Sequence, residues 1–175
     1  MDGITKMSLV EFPAVESDFL KFAEQESLKF SIDEEEHIVF GCALRCDFPI
    51  YRCDRKGEYY VVFDKDNIQD LYQKFMYDKR GSEVNLEHNT DVDDVYLIQS
   101  FIKNTEKGLN PKGYENVSDG SWFVAYKVDN EDVWNEVKNG EYKGFSVECI
   151  AALDFEGDEP EDEIEQMIND IINNK

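Results

Sequence analysis

Only two side chains in this 175-residue sequence, His37 and His88, ordinarily titrate near neutrality, so the search for a general base is short. His37 follows Asp33, Glu34, Glu35 and Glu36 and reads as a solvated residue at a strand entrance. His88 closes the segment Val84–His88, where alternation puts its ring on the side of Val84 and Leu86. An ionisable ring on a core side needs a polar partner. The second unusual segment is Gly144-Phe145-Ser146-Val147-Glu148, where a serine and an acid interrupt an apolar strand. Alternation there groups Ser146, Glu148 and Ile150 on one face and Phe145, Val147 and Cys149 on the other. Cys149 therefore points away from Ser146. Glu148 lies about 7 Å along the strand from Ser146, near enough to orient a histidine that approaches the hydroxyl. A serine becomes nucleophilic only when a base takes its proton, which contributes about 10² to 10⁴ in rate, and His88 is the best candidate base. Spacing alone leaves open a structural histidine and a cross-strand polar pair.

Other chemistries leave weaker traces. The segment is no nucleophile elbow, because Glu148 stands where that motif needs glycine, although Gly144 would let a substrate backbone approach closely. With 40 acidic residues, close carboxylate pairs arise by chance and do not indicate a glycosidase. Asp91, Asp93 and Asp94 lack the glycine and terminal glutamate of a calcium loop and read as a solvated turn. Cys42, Cys46, Cys53 and Cys149 show no metal-binding spacing and read as reduced, mostly buried thiols. No glycine-rich phosphate cradle occurs, and no cofactor or metal is expected.

Elements able to hold His88 and Ser146 follow from apolar period. Helical stripes run through Val15, Phe19, Phe22 and Ala23; through Ile68, Leu71, Tyr72, Phe75 and Met76 after an Asp66 cap; through Val133, Trp134 and Val137, stopped at Gly140; and through Ile164, Met167, Ile168, Ile171 and Ile172. Strand patterns cover 37–45, 58–63, 84–88, 95–102, 121–128 and 143–153, and 103–120 reads as a long loop. These predict an α+β domain with a curved or closed, mainly antiparallel β-barrel of six or seven strands and three or four peripheral helices. The domain would span residues 1–154, with 1–30 an N-terminal extension and helix, and 155–175 an acidic C-terminal helix or tail.

The charge balance narrows the partners. Eighteen basic residues against 40 acidic ones give a net charge of −22, a field that repels phosphate backbones and anionic lipid heads. Nucleic-acid and membrane roles are disfavoured. No signal segment or long apolar run is evident, so a soluble, intracellular protein is expected.

The ordered set of motifs resembles the prohead, or capsid maturation, serine proteases of tailed bacteriophages, related in fold to herpesvirus assemblin. The resemblance runs from Ser8-Leu9-Val10-Glu11-Phe12-Pro13 through Ile38-Val39-Phe40-Gly41, Pro49-Ile50-Tyr51-Arg52 and Glu58-Tyr59-Tyr60-Val61-Val62-Phe63 to Val84-Asn85-Leu86-Glu87-His88. It continues through Gly120-Ser121-Trp122-Phe123-Val124 and Val133-Trp134 to Gly144-Phe145-Ser146-Val147-Glu148. The resemblance implies that Ser146 is the nucleophile and His88 the general base of an endopeptidase. It implies phage scaffold and major capsid proteins as substrates, self-cleavage, homo-oligomer formation as an open option, and a place inside the procapsid in the host cytoplasm. Assemblin has a histidine as third member, and none follows Ser146, so Glu148 takes that role. Assemblin's oxyanion arginines are also missing after Ser146, which leaves backbone N–H groups or an arginine such as Arg52. The contrasting reading is a procapsid assembly module with the same fold and a silent site.

Overall fold

The computed structural model describes residues 3–11, 29–54 and 57–150, with the backbone alone for 51–54, 57–58 and 149–150. In chain order the elements are β1 (Gly3–Val10), β2 (Ser31–Asp33), β3 (Ile38–Leu44), β4 (Ile50–Asp54), β5 (Gly57–Val61), α1 (Lys65–Tyr77), β6 (Val84–Leu86), β7 (Thr90–Asp91), β8 (Val95–Ile102), β9 (Trp122–Val128), α2 (Glu131–Lys138) and β10 (Gly144–Ile150). One four-stranded sheet has the order β10-β1-β6-β7, a second the order β2-β3-β9-β8, and β4 and β5 form a hairpin. The architecture is mixed α+β. No closed barrel forms among the described strands, because each hydrogen-bonded ladder ends, the first at β10 and β7 and the second at β2 and β8. The two sheets share one core instead. Met7, Leu9, Val84, Phe145 and Val147 from the first meet Val39, Trp122, Val124, Tyr126 and Val128 from the second, with the Tyr126 and Phe145 rings 5.7 Å apart.

β1 escapes the sequence patterns yet sits inside the first sheet, antiparallel to β10 and parallel to β6. Its buried positions run past strict alternation: Met7 and Leu9 enter the core, and Ser8 between them is also fully buried. The short β2, β4 and β7 likewise escape the sequence patterns, since two to five residues carry too little alternation to register. The helical stripes at 15–23 and 164–172 lie outside the described residues.

α1 begins two residues earlier than its pattern suggests. Asp64, not Asp66, is the cap: its carboxylate accepts from the Asn67 N–H at 2.7 Å, and Asn67 Oδ1 accepts from the Asp64 N–H. Asp66 stands in the first turn, where its charge suits the helix dipole. Ile68 and Phe75 are fully buried, and the Phe75 and Tyr72 rings meet Trp122 edge-on. α2 is capped by Asn130 and buries Val133, Trp134 and Val137. His37 is no freely solvated edge residue: its ring stacks on Trp134 with centroids 4.4 Å apart.

The stretch 103–120 is closed over the outer face of the second sheet. Tyr114 and Val117 pack on Cys42 and Phe123, beside the stacked rings of Phe40, Phe123 and Phe101. Lys103, 2% exposed, donates from Nζ to the carbonyls of Tyr114, Glu115 and Val117. Asp119 accepts from the Thr105 N–H and hydroxyl, both at 2.8 Å, and the backbone bond holds its carboxyl below the usual carboxylate range. A short 3₁₀ turn at Thr105–Lys107 completes the segment.

Candidate active site

The face of the first sheet that points away from the core carries the polar residues. Ser8 in β1 is the register partner of Ser146 in β10 on one side and of Asn85 in β6 on the other. Register partners project on the same face, so three buried polar side chains stand in a row across three strands. Ser8 is 0%, Asn85 2% and Ser146 5% exposed. Lys6 is the partner of Glu148, which puts the carboxylate on that face one pleat from Ser146. Phe145 and Val147 turn to the core, as the alternation of β10 predicts.

His88 arrives by another route than the one alternation suggests. β6 stops at Leu86, and residues 87–89 form a turn closed by the Asn89 N–H donating to the Leu86 carbonyl at 2.9 Å. Glu87 and His88 both take left-handed backbone, φ 49° and 58°. Strand alternation therefore does not reach His88. The ring leaves the side of Val84 and Leu86 and meets Ser8 and Glu148 on the polar face. Two consecutive non-glycine residues in this region cost about 1–2 kcal/mol each and need surrounding bonds to hold them. The Glu87 N–H donates to the Leu9 carbonyl at 3.1 Å, and its carboxylate accepts from the Glu11 N–H at 2.5 Å. Both tie the turn to β1.

The contacts among these side chains are close. The Ser8 hydroxyl donates to Asn85 Oδ1 at 2.6 Å, and Asn85 Nδ2 donates to Glu148 Oε1 at 2.6 Å. His88 Nδ1 lies 2.8 Å from Ser8 Oγ and 3.4 Å from Glu148 Oε1. His88 and Glu148 keep side-chain exposures of 39% and 30%. Among the described residues no hydrogen bond engages the Ser146 hydroxyl. Lys6 is held by Asp91 across the sheet, a bond that raises its pKa, and the Glu148 carboxylate adds to the same effect.

Of the residues singled out in the sequence, His88 and Glu148 are thus in contact, and Ser146 stands beside Ser8, the hydroxyl that His88 bonds directly. The Arg52 side chain lies outside the described residues; its backbone pairs with Tyr59 in the β4–β5 hairpin. Sequence pattern alone does not single out Ser8 or Asn85. Each is a small polar residue between two apolar ones, Met7 and Leu9 or Val84 and Leu86, the same signal that exposed Ser146. Cys42 and Cys46 are buried free thiols, and burial pushes each up to about 12, far from a nucleophilic thiolate.

A family model described as "Putative phage serine protease XkdF" matches residues 28–154. Asn85, His88, Ser146 and Glu148 fall inside the match, and Ser8 precedes it. No curated protein and no solved structure matches the chain.

Proposed function

The chain belongs to that family of phage serine proteases, and from this premise we propose that it is a serine endopeptidase of capsid assembly, acting inside the procapsid on scaffold and major capsid proteins and on its own termini. Ser146 is the nucleophile, His88 the general base and Glu148 the acid that completes the set. Ser146 Oγ bonds to the scissile carbonyl carbon while its proton passes to the His88 ring. Collapse of the tetrahedral adduct breaks the C–N bond, and the imidazolium returns the proton to the leaving amine. Water, deprotonated by the same ring, then releases the acyl group.

The observation that supports this reading is the contact of His88 with Glu148 on the polar face that also carries Ser146. Between the two neighbouring serines, Ser146 is favoured. Ser8 has its oxygen occupied by Asn85 and His88, and it lies outside the family match. A fold akin to assemblin and cytoplasmic location in the host accompany the proposal.

The test is co-expression with the neighbouring scaffold and shell proteins, read by intact mass for the wild type, Ser146→Ala and His88→Ala. Cleavage products that disappear in both variants support the endopeptidase. Products that persist in either variant, or no products from the wild type, overturn it in favour of an assembly module. Glu148→Gln cleaving at the wild-type rate removes Glu148 from the set.

A further inference from the structure

We propose that Ser8 and Asn85 are positioning residues, a two-member hydrogen-bond relay that connects the Glu148 carboxylate to His88 and fixes which ring nitrogen carries the proton. For its effect on rate the inference rests on the protease reading above; its structural content does not. An ionised Glu148 only accepts, so the Asn85 atom facing it at 2.6 Å is the amide nitrogen, and Oδ1 faces Ser8. That carbonyl oxygen accepts, so the single hydroxyl hydrogen of Ser8 goes to it at 2.6 Å. Ser8 Oγ has no hydrogen left for His88, 2.8 Å away. The hydrogen in that contact therefore belongs to Nδ1.

The bonds run one way, from His88 Nδ1–H to Ser8, from the Ser8 hydroxyl to Asn85, and from the Asn85 amide to Glu148. Each donor is polarised by the acceptor beyond it, and the chain ends on a negative charge. With Nδ1 protonated, Nε2 holds the free lone pair, so Nε2 is the basic atom offered to a nucleophile. The 3.4 Å separation of Nδ1 and Glu148 Oε1 adds charge stabilisation once the ring becomes imidazolium, whereas the Nδ1 hydrogen itself is taken by Ser8. The relay also gives the burial of Ser8 and Asn85 a reason: both are almost fully buried, and each finds its partners within the set.

Nitrogen-15 NMR of the full chain, histidine-labelled and recorded at a pH where the rings are neutral, reads the tautomer directly. With two histidines, His37→Gln assigns the spectrum. The wild type is expected to show His88 as Nδ1–H. Ser8→Ala is expected to shift it toward Nε2–H, the form free histidine prefers, and Ser8→Thr to restore Nδ1–H. Cleavage follows in parallel: Ser8→Ala lowers kcat by about 10- to 100-fold with KM little changed, and Ser8→Thr recovers most of it. A wild-type Nε2–H signal overturns the relay and needs no variant to fold, and an unchanged tautomer in Ser8→Ala overturns it as well. A wild type that shows Nδ1–H and cleaves nothing refutes the protease reading and supports the relay.

Discussion

Replacing Asn85 by aspartate keeps its shape and exchanges one donor for an acceptor at the most sensitive contact of the polar face. Asn85 Nδ2 donates to Glu148 Oε1 at 2.6 Å, and the residue is 2% exposed. Two full charges at that distance repel by about 6 kcal/mol at an effective dielectric of about 20. Glu148 keeps 30% exposure, and the pair escapes most of the repulsion by sharing one proton, so the measured loss is smaller. A lost bond to a charged group and a proton held above its ordinary pKa together give about 2–4 kcal/mol of destabilisation at pH 7.5. The sign of the pH dependence follows. The introduced carboxyl pair binds its proton more tightly folded than unfolded, so the penalty is largest above the raised folded value and shrinks as pH falls through it. A protonated oxygen also restores a donor to Glu148. Urea unfolding of Asn85→Asp and wild type, followed by the fluorescence of buried Trp122 and Trp134, measures the gap at pH 7.5 and pH 5.5, above the sequence pI of about 4.3. The gap is expected to narrow by about 1 kcal/mol or more. An equal gap at both values, or a variant as stable as wild type, would show that no charge repulsion develops between residues 85 and 148.

Three further outcomes are expected. Lys103→Met removes a buried ammonium that serves three carbonyls, costing about 3 kcal/mol in chemical denaturation and raising amide exchange across residues 114–121. Gly120 has φ 95°, and a Cβ there would stand 3.0 Å from Cys46 Sγ and from Lys65 Cγ; Gly120→Ala is therefore expected to lower stability by about 1–3 kcal/mol in the same assay. Cys42 and Cys46, both pushed up to about 12 by burial, are expected to resist iodoacetamide at pH 8 in the native protein and to react after unfolding, read by peptide mass.

Where the apolar period is long, the sequence alone locates the structure. The Val133, Trp134 and Val137 stripe, stopped at Gly140, describes α2 closely, because stripe and stop lie close together in the chain; the Asn130 cap comes from the structure. The Ser146 and Glu148 face of β10 is legible for the same reason, since Phe145 and Val147 mark the core side. Alternation puts His88 on the wrong side because it is a property of extended backbone, and two left-handed residues at 87 and 88 end it. β1 stayed hidden because pairing with both β10 and β6 depends on partners 75 or more positions away. Its Ser8 acquires a role only through Asn85 and His88, a relation that no local pattern in residues 3–10 contains.

The most direct measurement is the site of attack by a fluorophosphonate, an electrophile that captures an activated serine. Peptide mapping after labelling is expected to place the adduct on Ser146 in the wild type and to find none in His88→Ala. An adduct on Ser8, or labelling of Ser146 that survives loss of His88, would contradict the assignment.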